Sequence, residues 1–265
     1  MKSLIFSLKK KLKYRLDVSK LYNCNYKNLQ EVKKFKLNYG KNIINASELF
    51  SISGNVSSNI IIKSSSELLD NVGKDFQGES ITIYGNVGNN LGQEMKSGCI
   101  TVHGNTLDYT ASGIKGGVIH IMGNVGDYFC AKPNHANEGM KNGIIYIRGN
   151  CGDFSLQRMR RGMVIINGDV GKNFCSEMIS GTILINGKIG NDFGKKIKRG
   201  TFILRKKELT KDYIKSNNCN YNFFPFLKKN ICSITKNERI MSYKYFERYS
   251  SNKDESNLSE IFLLH

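Results

Sequence analysis

Three groups of side chains have the types and spacing to bind or react. Arg158, Arg160 and Arg161 place three guanidinium groups within one short stretch. Their planar forks suit carboxylate or phosphate recognition; a solvated corner, or an ion pair with Asp153, is the structural alternative. Lys195, Lys196, Lys198 and Arg199 form a second basic run suited to an acidic ligand. Lys132, Pro133 and His135 form the third group, and no second histidine, cysteine or paired carboxylate stands near His135 in sequence. A partner contact is therefore expected of that stretch rather than catalysis. His103 and His120 supply too few ligands for a metal site and read as surface histidines. The seven cysteines form no Cys-x-x-Cys pair and are odd in number, so they read as small buried or half-buried residues in a reducing compartment. Neither a metal site nor a catalytic constellation is expected in this chain.

The element that must position these residues is a repeat. A short alternating apolar strand runs into Gly-Asn-x-Gly, then a polar stretch, then Met-x-x-Gly. The first glycine of each unit is Gly85, Gly104, Gly123, Gly149, Gly168 and Gly187, at spacings of 19, 19, 26, 19 and 19 residues. These corner glycines are expected to supply positive φ, and the asparagines after them (Asn86, Asn105, Asn124, Asn150) a stacked ladder. No helix and no Gly-Lys-Ser/Thr follows Gly-Asn-x-Gly, so it is not a phosphate loop. A unit this short cannot bury its own apolar face, so units must stack.

Ile81 and Ile83 recur as Ile100 and Val102, Ile119 and Ile121, Ile145 and Ile147, Val164 and Ile166, Ile183 and Ile185, and Phe202 and Leu204. Strand side chains alternate faces, so these two columns point inward. A second inward set holds Val87, Val125, Cys151, Val170 and Ile189 with Leu91, Phe129, Phe174 and Phe193. A third holds Met95, Ile114, Met140, Met159, Met178 and Ile197. The pattern predicts an all-β fold, a right-handed, single-stranded, three-sided β-helix of about seven turns of 19 residues. Ser66, Leu68, Val72, Gly73, Phe76 and Gly78 read as a weaker extra turn, and Gly54-Asn55-Val56 as a more degenerate start. The 26-residue spacing marks an insertion within Ala131–Glu138, a projecting loop. The outward column ends in Ile165, Leu184 and Ile203. Phe223, Phe224, Phe226 and Leu227 of the C-terminal segment are expected to cover that stripe, with some contact from a partner.

Charge divides the chain into three parts. Residues 1–45 form an N-terminal basic segment, 46–205 the glycine-repeat solenoid, and 206–265 a basic, aromatic extension packing on it. Net charge is +18, with a balance of +10 over residues 1–41, −1 over 42–194 and +9 over 195–265. Such asymmetry points to an acidic partner or to lysine-rich codon bias. Leu4, Phe6 and Leu8 alternate as one strand, and Asn28–Lys36 reads as a short helix. The apolar run at the N-terminus is too short for a signal-peptide core, and no 18-residue apolar span occurs, so a cytoplasmic, non-membrane protein is expected. No nucleic-acid motif accompanies the basic flanks, and nucleic acid is not expected as a partner.

The glycine solenoid resembles the C-terminal domain of glutamate synthase. It is more similar to the glycine-repeat subunit of formylmethanofuran dehydrogenase and to its counterpart in the bacterial formyltransferase/hydrolase complex. Leu16-Asp17-Val18-Ser19, Leu49-Phe50-Ser51-Ile52-Ser53-Gly54, Arg160-Arg161-Gly162, Met178-Ile179-Ser180-Gly181-Thr182-Ile183, Pro225-Phe226-Leu227, Arg248-Tyr249 and Glu260-Ile261 extend the resemblance to nearly the whole chain. Tyr109–Gly117 inclines it to the bacterial complex. Ser155-Leu156 and the lysine-rich flanks depart from it. The resemblance implies a non-catalytic structural subunit in tetrahydromethanopterin-linked one-carbon metabolism. Metallohydrolase-like and formyltransferase-like partner subunits would then hold the metal and the furan coenzyme, methanofuran or methylofuran, and carry out formyl transfer and formate release. On this reading Arg158, Arg160, Arg161, Lys195, Lys196, Lys198 and Arg199 are candidate contacts to the coenzyme or its acidic tail, and Lys132, Pro133 and His135 a partner loop. The alternatives are the equivalent subunit of a formylmethanofuran dehydrogenase, or a glutamate-synthase-like or polyanion-binding module.

Overall fold

A computed structural model describes residues 2–22, 25–205, 213–216, 223–237, 239–251 and 258–265. Cys24, Cys219, Lys206, Lys207 and Lys211 lie outside the described residues. The fold is mostly β. The N-terminal part contributes β1 (Leu4–Leu8), β2 (Leu16–Asp17), α1 (Leu29–Lys34), β3 (Lys36–Tyr39), β4 (Asn42–Asn45), α2 (Ala46–Leu49) and β5 (Phe50–Gly54). The Asn28 side chain caps α1 by accepting from the backbone N–H groups of Gln30 and Glu31, which satisfies two of its orphan donors. β6 (Asn59–Lys63), β7 (Leu69–Asp70) and β8 (Gln77–Tyr84) lead into the repeat.

The repeat strands are β9 (Ser97–His103), β10 (Val118–Ile121), β11 (Ile144–Ile147), β12 (Met163–Ile166), β13 (Thr182–Ile185) and β14 (Arg199–Leu204). After them come β15 (Tyr213–Lys215), α3 (Phe223–Thr235), β16 (Phe246–Ser251) and β17 (Leu258–Leu264). One 13-stranded sheet runs in the order β15-β16-β17-β14-β13-β12-β11-β10-β9-β8-β6-β1-β5. From β8 to β14 every pairing is parallel. Ile81 pairs with Ile100, Ile100 with Ile119, Ile119 with Ile145, Ile145 with Val164, Val164 with Ile183 and Ile183 with Phe202. The sequence period is thus the sheet register itself. All of these side chains are fully buried, the β-branched packing a pleated surface favours.

The three inward columns expected from the sequence differ in secondary structure. Only the first is a continuous sheet. The second is a row of single parallel bridges, Val87 to Thr106 to Val125 to Cys151 to Val170 to Ile189. The third, which buries Met95, Ile114, Met140, Met159 and Met178 completely, contains no strand. The reason is local. Tyr109, Ala111 and Gly113 all have left-handed backbone, with φ of 58°, 56° and 64°, and a chain that alternates in this way cannot run as a strand. It still satisfies its amides: Tyr109 donates forward to the Asp127 carbonyl (2.9 Å), Ala111 back to Leu91 (2.7 Å), Gly113 forward to Ala131 (3.2 Å) and Lys115 back to Met95 (2.8 Å).

The N-terminal end departs from the sequence expectation, and the C-terminal end meets it in part. β1 is a member of the main sheet, parallel to β6 on one side and antiparallel to β5 on the other. The first rung is therefore built by residues 4–8, and Gly54-Asn55-Val56 begins no turn: Gly54 faces Leu4 across an antiparallel pair and Val56 is exposed. In the weak turn Leu69, rather than Leu68, is fully buried beside Val72 and Phe76, because Leu69 pairs with Leu16. At the far end the outward stripe is covered by the chain itself. Tyr146, Ile165, Leu184 and Ile203 form a second core with Phe224, Ile231, Ile240, Met241, Phe262 and Leu264, and Leu227 packs at its margin. Phe223 and Phe226, expected among the covering residues, are exposed.

Candidate functional site

The corner asparagines form the expected ladder. Asn86 Oδ1 accepts from the Asn105 amide (3.0 Å), Asn105 from Asn124 (2.8 Å), Asn124 from Asn150 (2.9 Å) and Asn150 from Asp169 (2.9 Å). The corner glycines serve it differently from expectation. Gly85 has positive φ (118°), but Gly104, Gly123, Gly149, Gly168 and Gly187 do not. What they require is space: a Cβ on Gly104 would sit 2.3 Å from the Gly85 carbonyl oxygen. A second ladder runs beside the first and is absent from the sequence expectation. Asp70 Oδ1 accepts from the Asn89 amide, Asn89 from Asp108, Asp108 from Asp127, Asp127 from Asp153 and Asp153 from Lys172, at 2.8–3.2 Å. Its sequence signal is an Asn or Asp one residue past the second corner position in consecutive units.

The insertion is tied down on three turns. Ser112 Oγ donates to the Ala131 carbonyl (2.9 Å), and Pro133 is buried against Gly113. His135 Nε2 lies 3.2 Å from Glu94 Oε1, which Lys115 Nζ approaches at 3.4 Å. Partial burial pushes the Glu94 carboxyl up, but His135 and Lys115 outweigh it and the net shift is downward. Arg158 donates to the Asn137 carbonyl and pairs with Glu177 at 2.8 Å. Arg160 holds both oxygens of Glu138, at 2.9 and 3.1 Å. Two of the three clustered arginines therefore clamp the loop and its neighbouring turn; Asp153 pairs instead with Lys172 (3.5 Å).

Arg161 and Arg199 converge on an open cleft of about 390 Å³, lined also by Ser180, Thr182, Thr201 and Glu260. Glu260 accepts from Thr201 Oγ1 (2.9 Å) and pairs with Arg248 (3.0 Å), joining β17 to β14. Lys195 pairs with Asp192 at 2.9 Å. Lys196 and Lys198 are exposed. The structure thus brings Arg161 and Arg199 together and leaves Lys132, Pro133 and His135 in a separate place.

The buried cysteines are held in an unreactive state. Cys130 and Cys175 are buried, and burial lifts both thiols well above their ordinary value; Cys151 is pushed up to about 12 by the same cause. A thiol kept neutral is a poor nucleophile. His103 stacks on Tyr84 with ring centroids 4.7 Å apart. His120 is half-buried edge-on to Tyr146, and burial, then Lys236, lowers its pKa. Among the described residues no group of three His, Cys, Asp or Glu side chains could hold a metal. No helix among them is long and apolar enough to cross a membrane.

One surface feature lies outside every expectation drawn from the sequence. Tyr109, Tyr128 and Phe154 stack in consecutive turns, with centroids 4.9 and 5.4 Å apart and rings 6° and 12° from parallel. Their spacing of 19 and 26 residues is that of the repeat and is the signal that marks them.

The repeat and its ladders define the class of protein. Residues 27–257 match the GXGXG motif family, and the chain belongs to it. Among solved structures it is similar to a chain of the formyltransferase/hydrolase complex (FhcABCD) from Methylorubrum extorquens, determined in complex with methylofuran. The two share 27% identity and a TM-score of 0.83, with 98% of this chain and 99% of that chain covered. No match is found among curated proteins.

Proposed function

We propose that this chain is a structural, non-catalytic subunit of a formyltransferase/hydrolase complex of tetrahydromethanopterin-linked one-carbon metabolism, working in the cytoplasm. The observation that carries the reading is the end-to-end likeness to a chain of such a complex, at 27% identity. The disposition of polar groups supports a structural role: ladder oxygens accept backbone amides, and Arg158 and Arg160 clamp the insertion. The partners are metallohydrolase-like and formyltransferase-like subunits that hold the metal and the furan coenzyme. Affinity purification of the tagged chain from its own cells, with mass spectrometry of what co-elutes, is expected to return both partners. Recovery as a stable lone monomer would overturn the reading.

The chain is further proposed to wind as a right-handed, three-sided β-helix, with 46–205 as its body and the basic segments 1–45 and 206–265 closing its ends. The parallel register at 19-residue steps, the single-bridge row and the alternating amide bonds support it, and parallel crossovers are right-handed in nearly all cases. Contact with an acidic coenzyme tail is assigned to Arg161, Lys196, Lys198 and Arg199, which form no ion pair among the described residues. Reversing these four charges should raise the complex's Michaelis constant for its coenzyme substrate at low salt, and an unchanged constant would remove the assignment.

A further inference from the structure

The aromatic stack Tyr109–Tyr128–Phe154 sits where the backbone disfavours it. Their φ angles are 58°, 57° and 55°, a region that is costly for bulky residues and tolerated by asparagine. Asparagine does occupy the same column one turn before and one turn after, as Asn90 (60°) and Asn173 (54°). Three consecutive turns thus forgo the residue the backbone favours and carry a ring.

Those rings contribute little to the core. Tyr109 and Phe154 remain 38% and 36% exposed. Four of the six ring faces are covered within the stack, so along its length the strip shows mainly ring edges. A flat sugar or a nucleobase needs an open ring face to stack on. A ridge of edges instead suits van der Waals contact with an apolar protein surface, where aromatic residues act as anchors. The residue before each ring is acidic: Asp108, Asp127 and Asp153. One oxygen of each serves the backbone ladder. Among the described residues no cation bridges Asp108 or Asp127. The insertion leaves this corner three residues after Tyr128, and the Glu94–His135 pair and the Arg158 hydrogen bond to the Asn137 carbonyl hold it there.

We propose that the ridge Tyr109–Tyr128–Phe154, with the insertion beside it, is a docking surface for another protein subunit, one that presents an apolar patch flanked by lysine or arginine. This rests on the reading of the chain as a member of a hetero-oligomeric complex. The column itself supplies the variant: Tyr109→Asn, Tyr128→Asn and Phe154→Asn together restore the residue type found at Asn90 and Asn173. The triple variant should fold with an unchanged or raised Tm, since asparagine relieves left-handed strain. The complex is reconstituted from wild-type or triple-variant chain with the partner subunits identified from the native assembly, and the affinity of one is measured. A weakening of about 100-fold or more, the size expected on losing a hot-spot cluster, is the predicted result. Co-assembly of the variant at wild-type affinity would overturn the docking surface and leave complex membership standing. Absence of any co-assembling partner for the wild-type chain would overturn both. Self-association of the isolated wild-type chain that the triple variant loses would assign the ridge to a second copy and overturn the proposed partner.

Discussion

A buried hydroxyl without a partner is a liability, and this chain carries one inside its repeat. Thr106 is 2% exposed, and its Oγ1 has no hydrogen-bond partner. It stands in the single-bridge row between Val87 and Val125, so valine fits the site in shape and lacks the unmet hydroxyl. Leaving a polar group unsatisfied costs ~1–3 kcal/mol. Thr106→Val should therefore raise stability by about 1 kcal/mol, read as a Tm increase of roughly 2–4 °C. A lowered Tm would show that the hydroxyl is satisfied. Thr106 occupies a column whose other members read as inward from their apolar character, and it escapes that reading because a hydroxyl does not look like core. The same bias hides the second ladder. Asp108 and Asp127 look like surface charge in sequence, yet each carboxylate closes a backbone amide of the next turn. Periodicity reveals which positions are equivalent, while residue type misleads wherever a polar side chain serves the backbone.

At the scale of elements, the strands are legible in the sequence and the ends are not. β8 to β14 follow from two β-branched columns at a fixed period, whereas β1 and β5 lie outside any period and join the sheet through pairing that only the folded chain reveals. The C-terminal hairpin is a similar case. Glu247 on β16 accepts from Lys215 on β15, from Tyr249 (2.7 Å) and lies near His265 (3.4 Å). Lys215, then Tyr249, lower its carboxyl from 4.5 to about 2. A carboxyl depressed in the folded state stabilises above its unfolded pKa and loses that contribution as protons bind. The anchoring of β15 and β16 should accordingly be constant above pH 4.5 and weaken as pH falls from 4.5 toward 2. Hydrogen exchange of residues 246–251 should show protection declining through that window. Glu247→Gln should lower protection at neutral pH and flatten the decline. A variant that retains the wild-type pH profile would place the sensitivity on another group.

The whole molecule is closed by the segment the repeat does not explain. The outward column changes from Thr82 and Thr101 to Tyr146, Ile165, Leu184 and Ile203, and α3, β16 and β17 are what bury the latter four. The coverage is readable in sequence because an apolar stripe facing outward must meet something. Which residues cover it is not, since Phe223, Phe224 and Phe226 look alike in sequence and only Phe224 turns inward. Truncation after Arg205 would remove two protections together. It would expose the stripe, each side chain worth ~1.5–3 kcal/mol of lost burial. It would also open β14, which pairs with β17 along Arg199–Leu204, as a free strand edge able to recruit another chain. The truncated chain should therefore self-associate or precipitate, as read by light scattering. The column itself separates the two causes. Replacing Ile165, Leu184 and Ile203 with threonine extends the pattern of Thr82 and Thr101. If the stripe drives association, the truncated threonine variant should return to a monomer. If the open edge drives it, association should persist in that variant and yield instead to an added Gly200→Pro: Thr201 donates to Gly181 on the β13 side, so the neighbouring Gly200 amide faces the opened edge.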